Sequence, residues 1–196
     1  MDVIPKHFMI AFSEHAEQWG AFDGDKMIGI ALAYPTSESG YFIFHALGIL
    51  PEYSGKNIAY ELGKKVGAAL QKRKQAFLTW TYDALNPAAA NLYHNKIGAV
   101  GYKVAYNYYG TSAYSLCSHR LFCSISLSDK KTQTKKGKTK ELQIPAHFNK
   151  LRKIDHGNAS QISTEYFQSI ESLLSEGYTV TALKRTAGAN YLVFTK

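Results

Sequence analysis

Cysteine and proline are scarce in this chain of 196 residues, which holds two of the first and five of the second. Cys117 and Cys123 form no CxxC pair and no Cys/His cluster at zinc spacing, and two cysteines cannot build a disulfide-dense scaffold. That usage suggests a reducing, cytoplasmic setting. Long apolar runs are missing as well. The longest, Tyr41 to Leu50, is interrupted by His45 and falls well short of the ~20 residues a bilayer-crossing helix needs, so no membrane partner is expected. Met1 to Lys6 lacks the basic and apolar regions of a signal peptide. Acidic residues are outnumbered, 15 against 23 basic ones, giving a net charge of +8. Such a balance attracts phosphates, whether of nucleic acid, membrane or a nucleotide-like cofactor, without choosing among them. What is present excludes global disorder: 45% of residues are hydrophobic, 13% aromatic and only 19% charged, enough apolar surface for a core. The length suits one globular domain, or one domain with an appendage.

Phe8, Met9 and Phe12 recur at helical spacing, and Gln18 to Phe22 then reads as a strand. Asp23-Gly24-Asp25-Lys26 separates it from the apolar run Met27 to Tyr34, a hairpin signal. With Tyr41 to Leu50 this makes an antiparallel meander of three strands. The period then changes. Ile58, Leu62, Val66 and Leu70 recur every four residues, the mark of an amphipathic helix. Phe77 to Tyr82 reads as a strand, Asn86 to Lys96 as a helix closed by Gly98, and Ala99 to Tyr109 as a strand with Tyr102, Val104, Tyr106 and Tyr108 on one face. Such an aromatic face is more often core than an acceptor pocket. Arg120 to Leu127 is another strand. Ser128 to Glu141 is rich in Lys, Thr, Gln and Gly and reads as a flexible loop; without interleaved aromatics its charge argues for a solvated surface over nucleic acid. Finally, Ser163 is placed to cap a helix carrying Phe167, Ile170 and Leu174 and closed by Gly177, and Tyr178 to Leu183 pairs with Asn190 to Phe194 in a hairpin.

The most informative stretch runs from Leu47 to Leu62. A strand ends at Pro51, a short polar turn containing Gly55 follows, and the amphipathic helix starts at once. The first turn of a helix has N–H groups without partners and the positive end of the dipole, so a turn of small residues there can wrap a pyrophosphate. Lys56 adds a mobile positive charge. No GxxxxGK[ST] is present, which excludes a Walker A loop, and no GxGxxG, which excludes a dinucleotide fingerprint.

Here the sequence resembles the GNAT superfamily of acetyl-CoA-dependent N-acyltransferases. Their hallmark is a strand ending in Pro, an aromatic residue, and a Gln/Arg-x-x-Gly-x-Gly/Ala loop that enters a helix. This chain has Pro51 and Tyr53, then Ser54-Gly55-Lys56-Asn57-Ile58-Ala59. A second hallmark, Asn-x-x-Ala-x-x-Leu-Tyr followed by Gly, recurs as Asn86, Ala89, Leu92, Tyr93 and Gly98. The likeness extends to an uncharacterised branch of predicted GNAT acetyltransferases through Thr79-Trp80-Thr81-Tyr82-Asp83-Ala84-Leu85, Ile97-Gly98-Ala99-Val100, Asn107-Tyr108-Tyr109-Gly110 and Ser118-His119-Arg120-Leu121. Ser54 stands where the family has Gln or Arg, and Asn57 where it has its central Gly; Asn accepts unusual backbone angles better than most residues.

The resemblance implies an α/β (α+β) acyl-CoA N-acyltransferase fold, a mixed, mostly antiparallel sheet flanked by helices; with Met1 expected inside the last of the fold's opening helices, either the start is truncated, its N-terminal strand missing, or the sheet has an edge that is covered otherwise. Residues 1–127 form the acyltransferase core, 128–143 a Lys-rich flexible loop, and 144–196 a helix and hairpin completing the same domain. The implied cosubstrate is acetyl-CoA or another acyl-CoA, and the implied partner a small-molecule or peptide amine that takes the acyl group by direct transfer. The alternative is a degenerate module of the same fold that binds coenzyme A, or has lost it, and regulates without catalysis. On the same basis, backbone N–H groups of Leu47, Gly48, Ile49 and Leu50 hold the thioester carbonyl. Ser54, Gly55, Lys56, Asn57, Ile58 and Ala59 hold the diphosphate, Asn86 touches the pantetheine arm, and Tyr93 protonates the departing thiolate or simply packs. The base is His45 or Asp83. The bland reading of His45 is a core histidine, and of Asp83 a cap or turn residue. Neither cysteine has a histidine partner motif, which argues against a cysteine nucleophile. The acceptor, the acyl chain length and the oligomeric state are not written in these motifs.

Overall fold

A computed structural model describes residues 4–110, 117–128 and 137–196. The chain forms two compact units, Met1–Trp80 with Ser126–Thr132, and Thr81–Ile125 with Gln133–Lys196. Each mixes helices with strands paired antiparallel, apart from one parallel pair in the first.

In the first unit, helix α1 (Lys6–Phe12) precedes the meander β1 (Glu17–Asp23), β2 (Lys26–Pro35) and β3 (Tyr41–Ile49), and after a single 3-10 turn (Pro51–Tyr53) comes helix α2 (Ile58–Lys72). Strand β4 (Phe77–Tyr82) begins here, and the order is β1-β2-β3-β4. β2 is buried on both faces, which is why its sequence is continuously apolar instead of alternating. Ile30, Leu32 and Tyr34 join Met9 and Phe12 of α1 in one cluster. The odd-numbered residues face the other way and are small, Gly29, Ala31 and Ala33, because α2 lies there; a Cβ on Gly29 would stand 3.3 Å from Leu62 Cδ1 and 2.6 Å from Ile49 Cδ1. α2 buries Leu62, Val66 and Leu70, the stripe its periodicity predicts.

The second unit takes the end of β4 into α3 (Pro87–Ala90), which continues as a π-helical stretch over Asn91–Ile97, then β5 (Val100–Ala105), β6 (Arg120–Ser126), β7 (Thr139–Gln143), α4 (Phe148–Ile154), α5 (His156–Ser175), β8 (Thr179–Thr186) and β9 (Ala189–Thr195). Its strand order is β6-β5-β8-β9-β7. Phe167 and Ile170 of α5, Leu121 and Cys123 of β6, Val180 of β8 and Phe194 of β9 are fully enclosed. β5 passes so close to its neighbours that a Cβ on Gly101 would sit 2.9 Å from Leu121 Cδ2 and 3.0 Å from Val180 Cβ.

Several expectations are corrected. The tyrosine face does not exist. Register slips between Gly101 and Lys103, so Tyr102 bulges outward while Val104 turns inward, and β5 ends at Ala105 before a turn in which Asn107 takes a φ of 47°. Tyr102, Tyr106, Tyr108 and Tyr109 are all exposed and are not core. Ser163 is no cap: α5 starts at His156 on Asp155, whose carboxylate accepts the Asn158 N–H at 3.0 Å, and Ser163 lies buried inside it. The loop read over 128–143 yields a strand, β7, paired with β9; residues 129–136, with most of the lysine run, lie outside the described residues. α4 has no counterpart in the sequence reading. Among the described residues, no helix is long and apolar enough to cross a membrane.

The helix read over Asn86 to Lys96 exists, but its second half is π-wound, and two side chains set it. Asn95 reads both backbone groups of Leu183 on β8, donating from Nδ2 to the carbonyl and accepting the N–H at Oδ1, each at 2.8 Å. His94 is buried and lies 2.8 Å through Nδ1 from the Ala99 carbonyl, which only accepts, so Nδ1 carries the proton and Nε2 accepts from the Tyr82 hydroxyl at 2.7 Å. Burial pushes this imidazole down to about 4. Because the unfolded chain binds the proton first, stability is lost as pH falls from 6.5 to about 4, by about 3 kcal/mol for a shift of this size. Urea unfolding at stepped pH should show that decline. His94→Gln should be less stable at pH 7 yet lose His94's part of the slope, leaving the smaller share of His119, which burial also lowers.

Candidate active site

In the first unit, β3 gives up one of its two neighbours. It runs parallel to β4 only at Tyr41, Phe42 and Ile43, opposite Phe77, Leu78 and Thr79. On its other edge it stays paired with β2 as far as Ile49, with a slip that leaves His45 without an opposite residue between Phe44 and Ala46. A bulge of this kind bends a strand and raises its twist, which is a reason for the early parting from β4. The Leu50 N–H donates to the Ile28 carbonyl at 2.9 Å. By the alternation of an antiparallel ladder Gly48 also faces β2, so Leu47 and Ile49 are the residues that direct N–H groups away from it. Of the four residues named from the resemblance, two therefore have a suitable backbone donor.

The loop after β3 combines two left-handed residues, Gly55 at φ 80° and Asn57 at φ 61°. Asn57 sits at the N-cap of α2 but its side chain does not cap the helix, which leaves the first-turn N–H groups of Ile58, Ala59 and Tyr60 uncapped by it. The loop is pinned to the β1–β2 turn. Tyr53 donates from its hydroxyl to Asp23 Oδ2 at 2.7 Å, and that bond raises its own pKa. Lys26 pairs with Glu52 at 3.0 Å. The Lys56 ammonium lies 4.8 Å and that of Lys26 5.5 Å from the Tyr53 ring centre. Small residues, helix N–H groups and Lys56 suit a diphosphate.

His45 is exposed, with its ring 5.6 Å from that of Tyr34; the core-histidine reading is corrected, since the bulge carries it out of the packed face. The other expected groups lie in the second unit. Tyr93 lies in the π-helical stretch beside the Tyr82 ring at 5.3 Å, and burial raises its phenol to about 12. Asn86 is the cap of α3, its Oδ1 accepting the N–H groups of Ala88 and Ala89 at 3.0 and 3.2 Å. Asp83 is a turn residue, accepting the Leu85 N–H at Oδ1 at 3.0 Å, with Oδ2 3.6 Å from Arg152 Nη1. Arg152 and His94 went unnoticed in the sequence, and His119 entered only within the segment Ser118-His119-Arg120-Leu121: no motif flags a histidine whose role is set by a carbonyl five residues on, or an arginine brought to Asp83 by tertiary packing.

The segment 3–99 matches the model described as the acetyltransferase (GNAT) family. The chain carries a GNAT acetyltransferase domain. Solved structures agree in fold. The ribosomal-protein-S18-alanine N-acetyltransferase of Escherichia coli is 19% identical with a TM-score of 0.54, over 65% of this chain and 79% of that one. A GNAT acetyltransferase of Elizabethkingia anophelis, with acetyl-CoA bound, is 13% identical with a TM-score of 0.51, over 62% and 83%. An aminoglycoside 6′-N-acetyltransferase complexed with coenzyme A is 13% identical with a TM-score of 0.51, over 64% and 81%. No protein with a curated description matches the chain.

For a GNAT loop the exchange of the central glycine for Asn57 is conformationally coherent, since Asn is the side chain that best tolerates left-handed angles after glycine. Asn57→Gly should therefore leave the melting temperature nearly unchanged, whereas Asn57→Ala should lose about 1 kcal/mol in urea unfolding. Equal stability of the two variants would mean that φ at residue 57 is not left-handed in solution.

Proposed function

We propose that this protein is an acyl-CoA-dependent N-acyltransferase that uses acetyl-CoA and transfers the acyl group directly to a small-molecule or peptide amine. The observation that carries the reading is β3 parting from β4 beside an uncapped, glycine-and-asparagine loop. Leu47 and Ile49 are assigned the thioester carbonyl through their N–H groups. Gly55, Lys56, Asn57 and the first turn of α2 at Ile58 and Ala59 take the diphosphate, with Ser54 as a neutral hydroxyl in place of the family's long polar side chain. Asn86, with its carbonyl oxygen engaged in the cap, has its amide N–H groups for the pantetheine arm.

Transfer needs a neutral amine: a C–N bond forms, the C–S bond breaks, the nitrogen sheds a proton to a base, and the thiolate takes one up. Tyr93 is assigned the last task. With a phenol raised to about 12 it stays protonated through any working pH and gives a hydrogen bond, then a proton, to sulfur. His45 or Asp83 takes the amine proton. Supply of acyl-CoA makes the cytoplasm the expected place of action. The loop's departures at Ser54 and Asn57 favour one second reading, a binding module that holds coenzyme A without turnover.

Calorimetric titration with acetyl-CoA should show saturable binding. Tyr93→Phe should lower kcat by about a hundredfold with acetyl-CoA affinity changed less than about threefold. No alkaline limb below pH 11 should disappear in that variant. Normal turnover by Tyr93→Phe would remove Tyr93 from the chemistry, and binding without turnover over an amine panel would favour the binding module.

A further inference from the structure

Within the second unit, a cavity of about 80 Å³ is lined by Asp83, Cys117, His119, Arg152, Ser160 and Ser163. Its two charged walls are matched in number and opposite in sign. Asp83 turns Oδ1 to the Leu85 N–H and leaves Oδ2 towards Arg152. That contact, at 3.6 Å, is an ion pair too long for a hydrogen bond, so the carboxylate oxygen and the guanidinium fork each keep hydrogen-bonding capacity for a third group. His119 adds no charge. Its Nδ1 accepts the Asn107 N–H at 3.1 Å, so its proton sits on Nε2, which donates to Thr164 Oγ1 at 3.1 Å. One turn along α5 from Ser163, the Tyr166 hydroxyl is buried, 5% of the residue being exposed, and has no hydrogen-bond partner among the described residues; it lies near enough to Asp83 to feel its charge.

Arg152 is exposed, Phe148 and Ala159 complete the wall, and the half-buried Asp83 carboxylate among them calls for an occupant with polar groups of its own. Charge balance disfavours a ligand that carries only an amine or only an acid, since either would leave one wall facing a like charge or none. The volume has room for about five to eight waters, counting 10–15 Å³ each, which suits a group of a few heavy atoms and excludes a nucleotide or an aminoglycoside ring. We infer that this cavity binds a small amino-acid-like zwitterion, with the ammonium on Asp83 Oδ2 and the carboxylate on the planar fork of Arg152, the geometry in which arginine recognises carboxylates. That this zwitterion is the acyl acceptor rests on the function proposed above. A peptide N-terminus lacks the adjacent carboxylate and is the wrong ligand for this site.

Binding to the full chain is measured by calorimetry with glycine, L-serine and β-alanine, against ethylamine, acetate and glycinamide. At least one zwitterion should bind saturably, with ethylamine, acetate and glycinamide at least tenfold weaker. Asp83→Asn and Arg152→Gln should each weaken that binding at least tenfold. The inference is overturned if no zwitterion binds, if glycinamide or ethylamine binds as well as glycine, or if neither variant changes the affinity. Thiol release from acetyl-CoA in the presence of the bound zwitterion is read separately. Binding without thiol release upholds the cavity and overturns its occupant as an acceptor; thiol release with other amines, and no zwitterion binding, upholds the acyltransferase and overturns the cavity.

Discussion

Every backbone N–H and C=O removed from water needs a partner, and a strand that leaves its neighbour part-way sets that requirement afresh. β3 leaves β4 after three paired residues while keeping β2 to its end. The rest of the first unit is arranged around that departure. β2 is sealed on both faces to hold β3 in place, α1 covers one side through Ile30, Leu32 and Tyr34, and α2 presses on the other so closely that β2 offers glycine and alanine there. The donors directed away at Leu47 and Ile49 then adjoin a loop whose helix N–H groups also lack a side-chain cap. Backbone N–H groups turned away from β2 and the start of a helix thus fall in consecutive segments, the pairing of donors on which the proposed acyl-CoA site rests.

In the second unit the comparable constraint is the polar interior. His94 between the Tyr82 hydroxyl and the Ala99 carbonyl, His119 between the Asn107 N–H and Thr164, and Asn95 on Leu183 each satisfy buried groups with one assigned proton arrangement. Both imidazoles are held neutral by burial. Replacing any of them by an apolar side chain would leave a partner unsatisfied, which costs more than the bond itself contributes. Asp83 and Arg152 differ from these networks, because they meet without a hydrogen bond at the wall of a cavity.

Local pattern and long-range packing are legible to different degrees. The four-residue period of Ile58, Leu62, Val66 and Leu70 and the turn at Asp23 to Lys26 are properties of neighbouring residues, and α2 and the β1–β2 hairpin follow them. The tyrosine face between Tyr102 and Tyr108 failed because a single bulge reverses the phase of a period of two. Ser163 failed as a cap because Asp155, eight residues earlier, provides a better acceptor to a helix that starts there. Of the candidate residues, the loop and Tyr93 are proposed from motifs visible in the sequence, while Arg152 lies in a stretch without a motif and meets Asp83 only through the fold.

By itself the sequence determined the mixed α/β class, the meander and the helix after it, because these rest on propensity and period that act within a few residues. Only the tertiary structure decided which N–H groups of β3 face away from β2, that His45 stands exposed, that Tyr93 is held protonated by burial, and that Asp83 and Arg152 share a cavity. Those properties depend on register and on the distance between residues far apart in the chain, which no local pattern encodes.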